Sequence, residues 1–193
     1  MFNFLKKKNN TPKLPYTTEV HCHVLPGIDD GSPDVEHSLA LIHQMKEWGL
    51  ERIIATPHVT EASFENTPQT IGSAYSRLCQ ETNLDELGIK LCYSAEYRMD
   101  DNFLGILQRE EIIPMPGNHI HIENSFLQPF WNIKSLVFDL QIKGLSPILA
   151  HPERYAYYYD DKKIYMNKGV NFKSICFPSQ GITTKERKRW PNG

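Results

Sequence analysis

The sequence predicts an α/β fold of parallel strands separated by single helices, folded as one domain. Three observations carry that expectation. After Pro15, short apolar runs alternate with segments whose apolar residues recur at helical spacing. Four of the runs, IIATPH, LCYSAE, HIHIE and PILAH, end at or near a histidine or a glutamate. The length of 193 residues, 40% hydrophobic and 23% charged, suits one packed domain or a β/α barrel somewhat short of the usual size.

Taken in order, VHCHVL reads as the first strand, and PGIDDGSPD after it is a loop dense in turn formers. Ser32 or Asp34 can cap the next helix. Leu39, Ile42, Met45 and Trp48 supply its apolar face, and Gly49 its stop. A strand over 53–56, a polar loop and a helix of about 66–83 follow, the helix placing Ile71, Tyr75 and Leu78 on one side. A strand over 89–95, a short helix near 101–108, a strand over 119–123, a helix over 132–143 and a strand over 147–150 complete the series. No repeat or linker interrupts it.

A formal charge of −2 implies no broad basic face and no general affinity for nucleic acid. No apolar run approaches the about 18 residues that span a bilayer. The start, MFNFLKKKNNTPKLP, lacks the apolar core of a secretory signal, and residues 1–17 are expected to form a flexible basic tail. Cys22, Cys79, Cys92 and Cys176 show no C-x-x-C pairing, which fits a reducing, cytoplasmic setting.

Chemistry concentrates at the strand ends. His21 and His23 flank Cys22, so period-two alternation puts both imidazoles on one face, a two-point grip for a metal. Asp29 and Asp30 lie in the Gly-flanked loop just beyond; alone they are an ordinary turn. His58 follows Pro57 at a strand end. Glu96 and Glu123 end apolar strands, where a carboxylate is costly to bury without a cation or a donor. His151 and Arg154 add an imidazole and a planar guanidinium at a further strand end. β/α barrels build their sites at this rim. A ligand set of histidines and carboxylates without thiolate suits Mn, Fe or Zn. Two or three such ions can generate hydroxide near neutral pH and clamp a phosphoryl group.

Cys92 and Arg98 also satisfy C-x5-R, the spacing of a cysteine phosphatase loop. The intervening YSAEY has no glycine to turn backbone N–H groups around phosphate, and it puts Glu96 inside the anion pocket.

The stretches HCHVLPGIDDGSPDVEHSLALI, IIATPH, SAEYRMD and ILAHPERY resemble the PHP-type bacterial protein-tyrosine phosphatases of capsule and exopolysaccharide operons, over about Thr18 to Phe172. The resemblance implies a distorted TIM-like (β/α)7 PHP barrel with up to three metal ions, Mn(2+) first among them, with Fe, Zn or Mg as substitutes. By motif, His21 and His23 hold the first ion and Glu96 bridges it to a second. Glu123 and His151 complete the second, and Asp30 and His58 bind the third. Arg154 is the catalytic residue that orients the phosphate while a metal hydroxide attacks phosphorus in line. The implied substrate is the phosphotyrosine tail of a bacterial tyrosine kinase that regulates polysaccharide export. Alternative readings are a phosphoesterase for a small monoester such as histidinol phosphate, and an inactive remnant of the fold.

The family pattern ends in a strand bearing D-x-H, and this chain has no such motif. Its segment 173–193, KSICFPSQGITTKERKRWPNG, shows no apolar periodicity. Synonymous codons for that segment, read from the last base of the Phe172 codon, give QINLLSLTGDYYERKETVAEW, which fits the family continuation far better. The expectation is therefore a frameshift near Phe172, an incomplete phosphatase domain over 18–172 and an out-of-frame tail over 173–193.

Overall fold

The computed structural model describes residues 13–158 and the backbone of Ile175–Cys176. Strand β1 spans Thr18–Cys22, β2 Arg52–Ala55, β3 His58–Val59, β4 Lys90–Tyr93, β5 Glu96–Arg98, β6 His119–Glu123, β7 Ser146–Ala150 and β8 Ile175–Cys176. The helices are α1 Val35–Glu47, α2 Pro68–Glu81, α3 Asp101–Arg109 and α4 Ile133–Ile142. All strand pairings are parallel, in sheets of order β1-β2-β4 and β3-β5-β6-β7-β8. The α/β class and the alternation of strand and helix agree with the sequence.

The sequence predicts single strands over 53–56 and 89–95; the structure has β2 and β4 there, each followed after two residues by a further short strand, β3 or β5. Thr56-Pro57 separates β2 from β3 and Ser94-Ala95 separates β4 from β5, so both breaks fall at one level. Pro57 has no N–H to give to a ladder. The carbonyls still serve: Ser94 N donates to Ala55 O and Glu96 N to Pro57 O, at 2.8 and 2.9 Å. The Thr56 hydroxyl accepts from Cys22 N at 3.2 Å, replacing a carbonyl partner. The two sheets are thus joined by hydrogen bonds in which the strands follow one another in chain order. The bend turns His58 and Glu96 toward β1.

Three of the four helices, α1, α2 and α3, begin where side chains cap them. Asp34, one of the two predicted caps, accepts from His37 N at 2.9 Å, and Asp100 caps α3 through Phe103 N at 2.8 Å. Thr67 and Thr70 form a reciprocal capping box on α2, with Pro68 in its first turn. The faces these helices bury, Ile42 and Met45 of α1, Ile71 and Leu78 of α2, Phe103, Ile106 and Leu107 of α3, and Leu136 and Leu140 of α4, pack on Ile53, Ala55, Ile120, Ile122 and Leu149 of the strands. Burying each large side chain contributes about 1.5–3 kcal/mol. That core fixes the strand ends, and so the groups they carry.

The expected basic tail lies outside the described residues up to position 12. So does most of the 173–193 segment, apart from Ile175–Cys176, which pairs with Leu149 and Ala150 of β7 where the sequence shows no strand periodicity. Among the described residues no helix is long and apolar enough to cross a membrane.

Candidate metal centre

Glu96 is the hub. It opens β5 with no exposed surface, and four imidazoles surround its carboxylate. Oε2 lies 3.0 Å from His21 Nε2, 3.4 Å from His23 Nε2 and 3.4 Å from His58 Nδ1. Oε1 lies 2.9 Å from His151 Nε2. Glu123, the last residue of β6, shares two of these partners, with His58 Nδ1 at 3.4 Å and His151 Nε2 at 3.3 Å. Every predicted ligand is brought together here, although Asp30 stands at the edge, largely exposed and 3.6 Å from His58 Nε2.

Local structure explains the aim of each group. His21 lies at the end of β1 and His23 just past it, with their rings 5.5 Å apart, as alternation along a strand requires. The loop after β1 curls back on His23, with Ser32 N donating to His23 O at 3.1 Å. Gly31 makes that return passable, because a Cβ there would stand 2.3 Å from His23 Cβ and O. His151 follows β7 with φ 29°, in the left-handed region that non-glycine residues rarely adopt. Tyr155 buttresses this turn from beneath: its hydroxyl donates to Ala150 O and accepts from Asn124 N, both at 3.0 Å. One buried phenol therefore ties the end of β6 to the end of β7.

The charges are mutually dependent. Burial opposes ionisation of Glu96, yet the nearby imidazoles of His151, His21 and His23 hold it well below the ordinary glutamate range. Glu123 is likewise lowered to about 2, against burial, by His151 and His58. Burial would lower His23, but Asp29 and Glu96 raise it to about 10. His151 is raised to about 9, against burial, by Glu123 and Glu96. The centre holds two committed anions and demands positive charge between them.

Whether a metal suits this demand is tested by orientation. Glu96 Oε1, Glu123 Oε2 and His58 Nδ1 are buried and make no hydrogen bond, though opposite groups lie 2.9–3.4 Å away. Lone pairs that approach without pointing at one another are what a shared cation would organise. Three sets of donor atoms lie within 4.8 Å of one another: His21, His23 and Glu96; His23, Asp30 and His58; His58, Glu96 and Glu123. Linked sets of His and carboxylate donors fit more than one borderline-hard divalent ion. His151 touches both carboxylates without entering these three sets.

Arg154, the predicted phosphate ligand, lies on the surface in a 3-10 turn at Pro152–Arg154, its guanidinium carbon 4.8 Å from the centre of the Phe126 ring. The C-x5-R alternative fails on both members. Burial raises the Cys92 thiol rather than activating it, and Arg98 Nε donates to Glu123 Oε1 at 2.9 Å.

Several residues of the centre escape the sequence reading. Asp29, expected to be an ordinary turn residue, accepts from His23 Nδ1 at 2.7 Å and from the backbone N–H groups of His58 and Gly31. It fixes the His23 ring from behind, as outer partners of metal-bound histidines do. His121 is fully buried, 4.8 Å from the His21 ring, and burial followed by His21 lowers it to about 3. Its signal is in HIHIE, where alternation puts His121 on the side of Glu123. Phe64 stacks on His58 at 5.6 Å, and nothing in the sequence pattern distinguishes it.

Comparison with known proteins gives a consistent account. The chain is 29% identical to the tyrosine-protein phosphatase YwqE of Bacillus subtilis (strain 168) over 137 residues, 70% of this chain and 54% of that protein. It is 25% identical to the tyrosine-protein phosphatase CpsB of Streptococcus agalactiae over 138 residues, 71% of this chain and 57% of that protein. The chain thus spans little more than half the length of these relatives. A match among solved structures comes from work on YwqE of Bacillus subtilis and CpsB of Streptococcus pneumoniae, described as unique metal-dependent tyrosine phosphatases. It has a TM-score of 0.69 and 27% identity, over 76% of this chain and 60% of that one. The model of the family described as capsular polysaccharide synthesis, CpsB/CapC, matches residues 17–175, and the chain belongs to that family.

Proposed function

We propose that this chain carries the metal-binding part of a cytoplasmic, metal-dependent protein-tyrosine phosphatase of capsule synthesis, acting on the phosphotyrosine tail of a bacterial tyrosine kinase. The observation that carries the reading is Glu96, completely buried with nitrogens of His21, His23, His58 and His151 all within 3.4 Å of its carboxylate. No purely structural need calls for that density of donors.

In this reading His21, His23 and Glu96 hold one ion, Glu96, Glu123 and His151 a second, and Asp30 and His58 a third, with manganese the favoured metal. Bound divalent ions supply Lewis-acid charge and an activated water at neutral pH. The chain's own groups do the rest. Asp29 holds His23 in one tautomer by taking the proton of Nδ1 in a hydrogen bond. Arg98 anchors Glu123 Oε1, so that this carboxylate keeps one orientation. Arg154, on the rim, binds phosphate oxygens and offsets the charge that grows on them. A tyrosine leaving group, with its ordinary pKa of about 10, needs little help from a general acid. Strands following in chain order, with His21 of the first strand 5.7 Å from His151 after the seventh, support a TIM-like barrel curvature for the fold.

The test is hydrolysis of a phosphotyrosine peptide by the manganese-loaded chain. Activity is expected to vanish with EDTA, return with manganese and survive Cys92→Ser. Hydrolysis of a small alkyl phosphate with none of the peptide would overturn the substrate assignment.

A further inference from the structure

Phe126 lies outside the proposed ligand set, yet its ring meets His151, Tyr155, Arg154 and Arg98. Its ring stacks on His151 at 5.6 Å and 24°, and leans on Tyr155 at 5.9 Å. The guanidinium carbons of Arg154 and Arg98 lie 4.8 and 5.6 Å from its centre. It remains 41% exposed, unusual for a phenylalanine in contact with buried groups.

Its loop is held firmly. Asn124 Oδ1 accepts from Phe130 N at 3.0 Å, its Nδ2 donates to the Tyr158 hydroxyl at 3.1 Å, and the Tyr157 hydroxyl donates to Ser125 O at 2.7 Å. The ring is therefore a fixed shelf, and two arginines from different strand ends meet at it. Among the described residues Arg154 has no ion pair, and Arg98 uses only Nε, on Glu123, leaving its two terminal amino groups without an acceptor. Two cationic forks beside the metal donors, held by the face of an aromatic ring, form a site for a dianion.

We propose that Phe126 is a positioning residue that gathers Arg98 and Arg154 into a two-armed clamp for the phosphoryl group. The inference rests on the phosphatase reading and adds Arg98 as a second phosphate contact. The aromatic face is the essential element: leucine would keep the apolar packing on His151 but has no ring quadrupole to hold a guanidinium.

The test measures binding of inorganic phosphate to the manganese-loaded chain by calorimetry, with metal content determined in parallel. Phe126→Leu is expected to weaken phosphate binding by about fivefold, the scale of one or two partly exposed cation–π contacts, with metal content unchanged. Phe126→Tyr is expected to stay within about twofold of the parent. With a phosphotyrosine peptide, Phe126→Leu should raise KM more than it lowers kcat. Equal binding by parent and Phe126→Leu, or equal weakening in the leucine and tyrosine variants, overturns the clamp alone. Loss of metal in Phe126→Leu assigns the ring to packing on His151 and overturns it too. A metal-loaded parent that binds no phosphate removes the phosphatase reading and the clamp together.

Discussion

The floor and the rim of the centre are built on opposite principles. On the floor, Glu96, Glu123, His21 and His151 sit at strand ends, buried and facing one another. On the rim, Arg154, Phe126 and Asp30 stand on loops with their polar or aromatic tips in solvent. Strand ends fixed by a packed core suit a cation that needs donors placed to within tenths of an ångström. Loops suit a substrate that must arrive and leave. The difference teaches that ion binding and phosphate binding are separable here, by position as well as by charge.

The largest effect that would break the division is expected from Glu96→Gln. Replacing the shared carboxylate leaves imidazoles without their counter-ion, so metal content should collapse and hydrolysis with it. Elemental analysis of the purified variant checks this, and full retention of metal would mean that the floor does not bind through Glu96. Arg154→Ala should act on the other half alone. Turnover is expected to fall by about 10²–10³-fold, the scale of losing one preorganised charge stabiliser, with metal content intact. Metal lost along with activity would erase the distinction between floor and rim.

Asp29→Asn sharpens the comparison, because Asp29 lies behind the floor and touches no substrate position. Loss of an outer partner to a metal-bound histidine costs about 10–100-fold in metal affinity, which a chelator competition would measure. The smallest effect is one of pH. His23 and His151, raised to about 10 and about 9 without metal, carry protons at neutral pH that an ion must displace. Manganese affinity is therefore expected to rise between pH 6 and 8 by about tenfold per unit for each proton released. Calorimetry in buffers of different ionisation enthalpy counts those protons. The sign reverses for the metal-free protein. Raised imidazoles stabilise it fully below their ordinary value of about 6.5, and that stability is lost as pH climbs through 9 to 10. Thermal unfolding of the two forms should thus respond to alkali in opposite directions.

Much of the centre was legible because its donors lie at strand ends. An apolar run ending in a carboxylate marks Glu96 and Glu123, and a one-residue gap marks His21 and His23, since a strand has a period of two. Asp29 and Asp30 show where this stops. Neighbours in one turn, they read alike, yet backbone curvature buries the Asp29 carboxylate beneath His23 and leaves Asp30 exposed. Arg98 was visible only as half of a C-x5-R spacing, which pointed to the wrong chemistry. Its true partner, Glu123, is 25 residues away on the adjoining strand, at the position paired with it in the ladder.

By itself, then, the sequence determined the alternation of strands and helices, the region of the first helix cap and the chemical types gathered at the strand ends. These follow from periodicity and from the cost of burying charge, both of which act locally. Only the tertiary structure decided the breaks after Ala55 and Tyr93, the left-handed turn at His151 and the meeting of Arg98 with Arg154 on Phe126. Those depend on which strand lies beside which and how the sheet bends, and no local window of residues carries that information.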